Sequence, residues 1–382
     1  MLHDARFFNE ESIKRKAAEN GFSNNLAIEL FLWDCEIAAQ VQNLSQDLVL
    51  KGGAAVQLHL PVQMQRGSID VDLVGNLTED EVDDILDKVP ENLPEVSFEL
   101  YQPRSPVTRI PMVTYHANIP SLVVERRERG IQLKTEFLLE DLRLPSETIA
   151  DAHTFALDVK NIRCYTVSSL IGDKLLTLAG TTIGVPREDD VPKQMYDVAN
   201  LSMLHPLSGD EFRQIGETVE KLVPIEAGYR EKQLEVSQVL EDIENSLEKY
   251  RFLGTSLVKP DTWRAVDGFQ QFYVSSSQRR NRDEWSQRAW HLTFLTDLVR
   301  DTIQHRSAGQ CASTYASVLE ILEQLKGVSE DKVRNVKTEL LKLAPPKTPG
   351  FRELKGKSLQ RIFYQMVTRE NIEAIQNLFS KT

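Results

Sequence analysis

The chain has 382 residues, of which 41% are apolar, and this is enough for two or three domains with substantial cores. Its formal charge of −12 argues against a protein that coats nucleic acid generally, although a local basic surface stays open. No apolar run approaches the roughly 18 residues of a membrane span, and the N-terminus lacks the basic and apolar regions of a signal peptide. We therefore expect a cytoplasmic protein. Cys35, Cys164 and Cys311 lie far apart in apolar patterns, which predicts buried thiols.

The first half of the chain mixes helix and strand patterns. Asn9 is a candidate cap for the first helix, Gly21 a stop signal, and Ser23 or Asn24 a second start. The predicted helices are two within residues 8–44, then 54–60, 78–88, 167–179 and one from about residue 192. The predicted strands are 47–50, 68–73, 96–101, 112–117, 131–138 and 156–165.

The second half of the chain is almost entirely helical in pattern, because strand signals vanish beyond about Pro206. The predicted helices are 209–251, 260–275, 281–307, 311–326, 329–343 and 358–379, with a proline-rich break at 345–350. This shift in composition places a domain boundary between residues 206 and 207. The sequence therefore predicts an α+β protein, in which a mixed sheet flanked by helices (1–206) precedes an all-helical C-terminal domain (207–382).

A glycine pair and two aspartates are the most informative local features. Gly52 and Gly53 lie between a strand and a helix, where backbone N–H groups can accept an anion, although a plain tight turn is an equal interpretation. Residues 68–73 alternate polar and apolar, so Asp70 and Asp72 share the face opposite the core. Their separation of about 6.6 Å lets both converge on one or two divalent ions. The alternative is a solvated strand face, yet like charges this close repel unless a cation lies between them.

Other polar side chains near these motifs allow two interpretations each. Arg66 is either a phosphate clamp or a partner that neutralises the aspartates, and the Ser68 hydroxyl either bonds a phosphate oxygen or is structural. Lys174 falls on the apolar stripe of its helix, which indicates either a buried stem with a snorkelling amine or a compact cation for a triphosphate. Lys193 and Asp197 are spaced i, i+4 and could form an ion pair.

Four sequence blocks together resemble the AbiEii-type nucleotidyltransferase toxins, which belong to the DNA polymerase beta-like nucleotidyltransferase superfamily. The blocks are Lys51-Gly52-Gly53, Arg66-x-Ser68-x-Asp70-x-Asp72, Ser168-x-Leu170-x-x-Asp173-Lys174-Leu175 and Lys193-x-x-Tyr196-Asp197. The resemblance covers roughly residues 25–205. It departs from the family pattern at Ala54, where a threonine is usual, and at Gln194, where an acidic residue is common.

The resemblance implies an N-terminal nucleotidyltransferase fold and template-independent transfer of NMP from an NTP. Asp70 and Asp72 would hold Mg²⁺, and Glu136 on a neighbouring strand is either a third ligand or a surface glutamate. Asp197 would orient Lys174 or assist deprotonation of the acceptor. The residues that would hold the NTP are Gly52, Gly53, Arg66, Ser68 and Lys174.

The resemblance also implies a toxin of a two-gene toxin–antitoxin or phage-defence (abortive infection) pair, with a protein antitoxin encoded nearby. In similar toxins the acceptor can be the 3′ end of tRNA. A basic bias at residues 332–361, here called the C-terminal basic segment, with Phe363 and Tyr364 beside it for stacking, favours RNA, although ordinary solvated helix explains it equally well. A protein-NMPylating enzyme and a non-catalytic nucleotide- or partner-binding module stay open. Neither a membrane nor DNA is an expected partner.

Overall fold

This computed structural model describes residues 1–102, 109–123, 130–343, 351–354 and 356–379. The chain forms two compact units. The first unit comprises Met1–Leu170, Gly228–Lys232 and Gly268–Arg279, and the second comprises Ile171–Ala227, Gln233–Asp267 and Arg280–Thr382. The domain boundary between residues 206 and 207 stays a prediction.

The first unit begins with two helices whose ends follow from local signals in the sequence. Helix α1 (Glu10–Asn20) is capped by the Asn9 side chain, which accepts from the Ser12 N–H, and it ends at Gly21 in the left-handed conformation. Helix α2 (Asn25–Leu44) starts after Asn24, whose side chain accepts from the Leu26 N–H. These caps confirm the predictions for Asn9, Gly21 and Asn24. Helix α2 is largely buried, because it packs against the central sheet.

The sheet of the first unit is mixed and, in the described residues, has seven strands. The strands are β1 (Val49–Leu50), β2 (Asp70–Gly75), β3 (Ser97–Leu100), β4 (Met112–Ile119), β5 (Ile131–Leu139), β6 (Ser146–His153) and β7 (Asp158–Tyr165). Their order is β3-β4-β5-β2-β1-β7-β6. The pairs β2–β5 and β1–β7 are parallel, and the other neighbouring pairs are antiparallel.

Short helices connect the strands. They are α3 (Gly52–Leu58), α4 (Glu79–Leu86) and α5 (Val89–Asn92). Helix α3 begins at the glycine pair itself rather than after it. Thr78 and Glu81 form the predicted capping box: the Thr78 N–H donates to the Glu81 carboxylate at 2.8 Å, and the Glu81 N–H donates to the Thr78 hydroxyl at 3.3 Å.

Helix α6 (Val167–Leu176) leads from the first unit into the second, which is helical in its described residues. The helices that follow are α7 (Val191–Leu204), α8 (Gly209–Tyr229), α9 (Val236–Arg251), α10 (Pro260–Tyr273), α11 (Arg282–His305), α12 (Ala308–Lys326), α13 (Glu330–Lys342), α14 (Phe351–Leu354), α15 (Leu359–Met366) and α16 (Ile372–Phe379). The second unit packs around α11, which contacts α7, α9, α12 and α15. The prediction of an α+β fold with a helical C-terminal part is confirmed.

Two predicted helices were wrong in length. The pattern over 209–251 is two helices, because Glu231 adopts a φ of +54° and interrupts the backbone between α8 and α9. The pattern over 358–379 is also two helices, because the Asn371 side chain bonds the Met366 carbonyl and the Thr368 N–H between α15 and α16.

The three cysteines are buried free thiols, as predicted. Across the part of the chain that the structure describes, no helix combines the length and the apolar character needed to cross a membrane.

Candidate active site

The two aspartates of β2 lie on one face of the sheet. Val71 and Leu73 are fully buried against the helices, whereas Asp70 and Asp72 are half-buried on the other face. Strand β5 runs parallel to β2 and places Lys134 opposite Asp70 and Glu136 opposite Asp72. The alternation read from the sequence therefore brings the two aspartates and the glutamate to neighbouring positions on one face.

Lys134 supplies the positive charge on this face. Its ammonium lies 2.7 Å from Glu136 Oε1. Burial disfavours the charged form of Lys134, yet the hydrogen bond to Glu136 and the negative charges of Glu136, Asp70 and Asp72 together raise its pKa. Lys134 is not among the site residues predicted from the sequence, although its place between Leu133 and Thr135 puts it on the same face as Glu136.

Glu136 as a third metal ligand stays a prediction. Its Oε1 accepts from the Thr114 hydroxyl at 3.4 Å as well as from Lys134. In the described ranges, no group of three or more His, Cys, Asp or Glu side chains has an arrangement suited to a metal ion.

The glycine turn packs directly against the aspartate strand. Gly52 has a φ of +69°, and a β-carbon added there would lie 1.8 Å from Oδ2 of Asp72. The Lys51 N–H donates to the Asp72 carbonyl at 2.8 Å, which fixes the turn to β2. Glycine is thus required at position 52 both by the left-handed backbone and by the neighbouring carboxylate.

Gly53 faces the polar side chains of Arg66 and Ser68. A β-carbon at Gly53 would lie 2.9 Å from Nη2 of Arg66 and 3.1 Å from Oγ of Ser68. Arg66 and Ser68 are both fully buried. The structure therefore brings together Gly52, Gly53, Arg66, Ser68 and Asp72, which come from two separate sequence blocks.

A buried glutamine, Gln57, holds this arrangement together. Its amide nitrogen donates to the Gly53 carbonyl at 2.9 Å, and its amide oxygen accepts from the Arg66 N–H at 2.9 Å. The guanidinium of Arg66 in turn donates to the Gly67 carbonyl at 2.6 Å. Gln57 is not among the site residues predicted from the sequence, although its position as a polar residue within the apolar run 54–58 is a signal that identifies it.

The Ser68 hydroxyl is buried, and among the described residues it has no hydrogen-bond partner. Leaving a buried hydroxyl without a partner costs free energy of about 1–3 kcal/mol. Such an atom beside the glycine turn is suited to bond an oxygen of a bound ligand.

In the second unit, Lys174 on α6 and Asp197 on α7 form a buried ion pair. Nζ of Lys174 lies 3.3 Å from Oδ2 of Asp197, with exposed side-chain fractions of 6% and 0%. The same ammonium donates to Oε1 of Gln194 at 3.0 Å. A snorkelling amine is therefore excluded for Lys174. Gln194, which stands where the family often has an acid, supplies an uncharged acceptor to the same lysine.

The stacking role predicted for the aromatic residues near the C-terminus is wrong. Phe363 is fully buried and Tyr364 is 4% exposed. Arg361 is also fully buried, and its guanidinium lies 2.7 Å from Asp283. Lys347 and Lys355 of the C-terminal basic segment lie outside the described residues.

The mixed sheet, with paired carboxylates beside a glycine turn and followed by helices, is that of a nucleotidyltransferase. The family described as "Nucleotidyl transferase AbiEii toxin, Type IV TA system" matches residues 37–268, which is more than half of the chain. The chain therefore belongs to the AbiEii nucleotidyltransferase toxins, and it is a nucleotidyltransferase enzyme of a toxin–antitoxin family.

Solved structures that are similar to this chain share little sequence identity with it. The nucleotidyltransferase toxin MenT4 from Mycobacterium tuberculosis H37Rv is 17% identical, with a TM-score of 0.43, and the match covers 80% of this chain and 98% of MenT4. An H. pylori protein classed as a nucleotidyltransferase is 12% identical, with a TM-score of 0.40 and coverage of 73% and 97%. An antigenic nucleotidyltransferase-like protein from Paracoccidioides brasiliensis is 14% identical, with a TM-score of 0.34 and coverage of 56% and 97%. No curated protein matches this chain significantly.

Proposed function

We propose that this enzyme is a Mg²⁺-dependent toxin that transfers NMP from an NTP to the 3′ end of tRNA. The observation that carries the proposal is the packing of Gly52 against the Asp72 carboxylate, on the face that Asp72 shares with Asp70. This contact supports a site in which the turn would bind phosphate and the adjacent pair of carboxylates would bind a divalent cation.

The residues present fit both an NTP and a divalent cation. Carboxylate oxygens are the ligands that Mg²⁺ prefers, and Asp70 and Asp72 present theirs from one strand face. The space beside Gly53 that a β-carbon would fill is bordered by Arg66 and by the unpaired hydroxyl of Ser68, both of which can bond phosphate oxygens. When bound, Mg²⁺ would neutralise phosphate charge and lower the pKa of the acceptor hydroxyl.

The protein's own groups would then bind and orient the reactants. Gly52, Gly53, Arg66 and Ser68 would hold the phosphates, and Asp70 and Asp72, with Glu136 as a third ligand, would hold the cation. Lys174 would provide a further positive charge for the triphosphate. The buried contact between Lys174 and Asp197 supports a role for Asp197 in orienting that lysine, because a buried carboxylate fixes the direction of the ammonium.

As a member of a type IV toxin–antitoxin family, the protein has an antitoxin as its implied partner. We propose that it acts in the cytoplasm, that it arrests growth when the antitoxin is absent, and that this arrest serves phage defence. A protein acceptor is the second candidate. It is favoured by the charge of −12 and by the burial of Phe363 and Tyr364, because both weaken the case for an RNA surface at the C-terminal basic segment.

One experiment tests the proposal. The purified enzyme and Mg²⁺ are incubated with each of the four α-labelled NTPs and a cell extract, and labelled RNA is separated from labelled protein. Label in tRNA that disappears when Asp72→Asn replaces the wild type supports the proposal. Label in protein alone supports the second candidate, and label in neither fraction with any NTP contradicts both.

A further inference from the structure

The sheet face that carries Asp70 and Asp72 continues across three more strands to the edge of the sheet. One row of paired positions runs from Asp72 through Glu136 to Thr114, and the Tyr101 N–H extends it by donating to the Thr114 carbonyl at 2.8 Å. A second row runs from Asp70 through Lys134 and His116 to Glu99. We call this surface the open sheet face; its members are Asp70, Asp72, Glu99, Tyr101, Met112, Thr114, His116, Lys134 and Glu136.

The outer end of the open sheet face presents an exposed aromatic surface. The Tyr101 side chain is 44% exposed, and its ring centroid lies 4.9 Å from that of His116 with an interplanar angle of 36°. Met112, on the same face of β4, is 41% exposed. A large aromatic side chain that is already held against a second ring is a ready platform for stacking a nucleobase.

The position of this platform relative to the glycine turn indicates which substrate would reach it. The glycine turn follows β1, which lies on one side of β2, whereas β5, β4 and β3 lie on the other side. In phosphoryl transfer the attacking and leaving oxygens are roughly in line, on opposite sides of the phosphorus. If the β- and γ-phosphates of the NTP lie at Gly52 and Gly53, the acceptor hydroxyl approaches from the side of β5 and β3.

The distance between the aspartates and Tyr101 also suits a single-stranded RNA acceptor. Three strand spacings of about 4.8 Å separate the Asp72 position from the Tyr101 position, which is about 14 Å in total. An acceptor strand whose terminal hydroxyl lies at the aspartates would therefore extend its preceding nucleotides over β5 and β4. Single-stranded RNA is recognised mainly through unpaired bases that stack on aromatic side chains.

We propose that Tyr101 and His116 form a stacking platform for an unpaired base of the acceptor RNA, close to its 3′ end. This inference rests on the proposed RNA-modifying function and adds the path of the acceptor to it. Tyr101 is the main contact and His116 supports its ring from the neighbouring strand.

The test compares three variants in binding and in turnover. Tyr101→Ala removes the platform, Tyr101→Phe keeps the ring, and Leu100→Ala is the matched control. Leu100 is the adjacent residue and is 51% exposed, but it pairs with the buried Tyr115 and so lies on the opposite face of the strand. Binding of a fluorescein-labelled single-stranded oligoribonucleotide with the sequence of a tRNA 3′ end is measured by anisotropy without NTP, and binding of each labelled NTP is measured separately.

We expect Tyr101→Ala to weaken binding of the oligoribonucleotide roughly 5- to 150-fold, since stacking contributes about 1–3 kcal/mol per base. Tyr101→Phe and Leu100→Ala should bind it like the wild type, and NTP binding should be unchanged in all three. In turnover, Tyr101→Ala should raise the KM for RNA with the KM for NTP unchanged.

Equal weakening by Tyr101→Ala and Leu100→Ala, or a loss confined to NTP binding, would overturn the proposal, as would unchanged RNA binding by Tyr101→Ala. Because binding is measured without transfer, the two proposals can fail separately. An enzyme that labels only protein would disprove the tRNA acceptor and, with it, the assignment of the RNA bound at Tyr101 as the acceptor, whereas tRNA labelling with an unchanged KM for RNA in Tyr101→Ala would overturn the stacking platform alone.

Discussion

Gly52 lies so close to the carboxylate of Asp72 that its Cα has room for a hydrogen atom but not for a methyl group. An added β-carbon would lie 1.8 Å from Oδ2 and 2.6 Å from Cγ of Asp72. The turn proposed to bind phosphate and the strand proposed to bind metal are therefore one packed structure, and a change in one displaces the other.

Gly52→Ala should accordingly inactivate the enzyme. The added methyl group would push the Asp72 carboxylate aside, and the φ of +69° would strain the alanine by about 1–2 kcal/mol. We expect NMP transfer to be abolished and the free energy of unfolding, measured by urea denaturation, to fall by at least that amount. Gly268→Ala is the control, because Gly268 lies in α10 with no heavy atom within 4 Å of its added β-carbon. A fully active Gly52→Ala enzyme would contradict the proposed role of this turn in binding phosphate.

Asp70→Asn and Asp72→Asn should each abolish NMP transfer and leave the fold intact. Each change removes the charge of a proposed metal ligand, while the relief of repulsion between the two carboxylates offsets the weaker hydrogen bonding of the amide. We expect transfer to fall by at least 100-fold, roughly the cost of removing an electrostatic interaction worth about 3 kcal/mol in the transition state, with unfolding by urea nearly unchanged. Glu95→Gln, which removes an exposed charge of the same sign in the turn before β3, is the control. Wild-type activity in both aspartate variants would exclude a metal site on β2.

The sequence was sufficient to predict those helix caps and strands that depend only on neighbouring residues. The Asn9 and Thr78 caps, the alternation in β2 and the left-handed Gly21 are each set by a few neighbouring residues, and each is confirmed. Strand β6 was missed, because its residues are mostly exposed and show no apolar alternation. The break between α8 and α9 was missed because it depends on distant contacts: Tyr229 bonds Glu140 and the Arg109 N–H.

In the candidate site, too, the residues with a local sequence signal were predicted, and those whose partners are distant in the sequence were not. Gly52, Asp70 and Asp72 were predictable from the sequence, because a glycine turn and alternating carboxylates can each be recognised from a few neighbouring residues. It left Lys174 with two interpretations, since only the packing of α6 against α7 could decide whether its amine is buried with Asp197. Gln57 and Lys134 were passed over because their partners, Arg66 and the carboxylates of β2, come from other segments.

Lys174→Met should destabilise the protein, contrary to what the apolar stripe of α6 alone suggests. It leaves Asp197 buried without its cation, and breaking a buried ion pair in this way costs about 3–5 kcal/mol. The double variant Lys174→Met/Asp197→Leu should recover most of that stability in urea denaturation, because it removes both charges.

The activity of the same variants separates folding from catalysis. The double variant should stay inactive and Lys174→Ala should raise the NTP concentration needed for half-maximal rate, if the ammonium contacts the triphosphate. A stable double variant with the wild-type rate would limit Lys174 and Asp197 to a structural role.

The stability of the first unit should fall in acid because of Glu36. This buried carboxylate is disfavoured by desolvation, but hydrogen bonds from the His3 ring, the Gln40 amide and the N–H groups of Leu2 and His3 outweigh that cost and lower its pKa to about 2. Since the folded-state pKa lies below the unfolded value of about 4.3, its contribution is fully present above about pH 4.3 and is lost as the pH falls towards 2.

Glu36→Gln should therefore reduce the free energy of unfolding at pH 7 by about 3 kcal/mol and flatten its decline between about pH 4.3 and pH 2. Urea denaturation at several pH values measures both effects. Glu95→Gln again serves as the exposed control and should keep the wild-type pH profile. An equally steep decline in Glu36→Gln would assign the acid sensitivity to other groups.

Substitutions in the C-terminal basic segment test RNA binding only where the side chain is exposed. Lys332 and Arg334 on α13 are exposed, whereas Arg361 is fully buried, paired with Asp283 and bonded to the Leu253 carbonyl at 2.8 Å. Arg361→Glu should lower the free energy of unfolding by about 3–5 kcal/mol, because it places a negative charge at a fully buried position next to the Asp283 carboxylate. It therefore reports on folding and not on RNA.

Reversal of the exposed pair, Lys332→Glu/Arg334→Glu, should leave urea denaturation unchanged. If these residues bind RNA phosphates, the double variant should weaken RNA labelling and reduce the slope of log affinity against log salt by about one for each phosphate that is no longer bound, since fewer counterions are released. Transfer to a minimal hydroxyl acceptor should be unaffected, because that reaction does not involve the RNA backbone. Unchanged RNA labelling and salt slope would exclude Lys332 and Arg334 from the RNA interface, and would leave the open sheet face as the surface on which the acceptor must be sought.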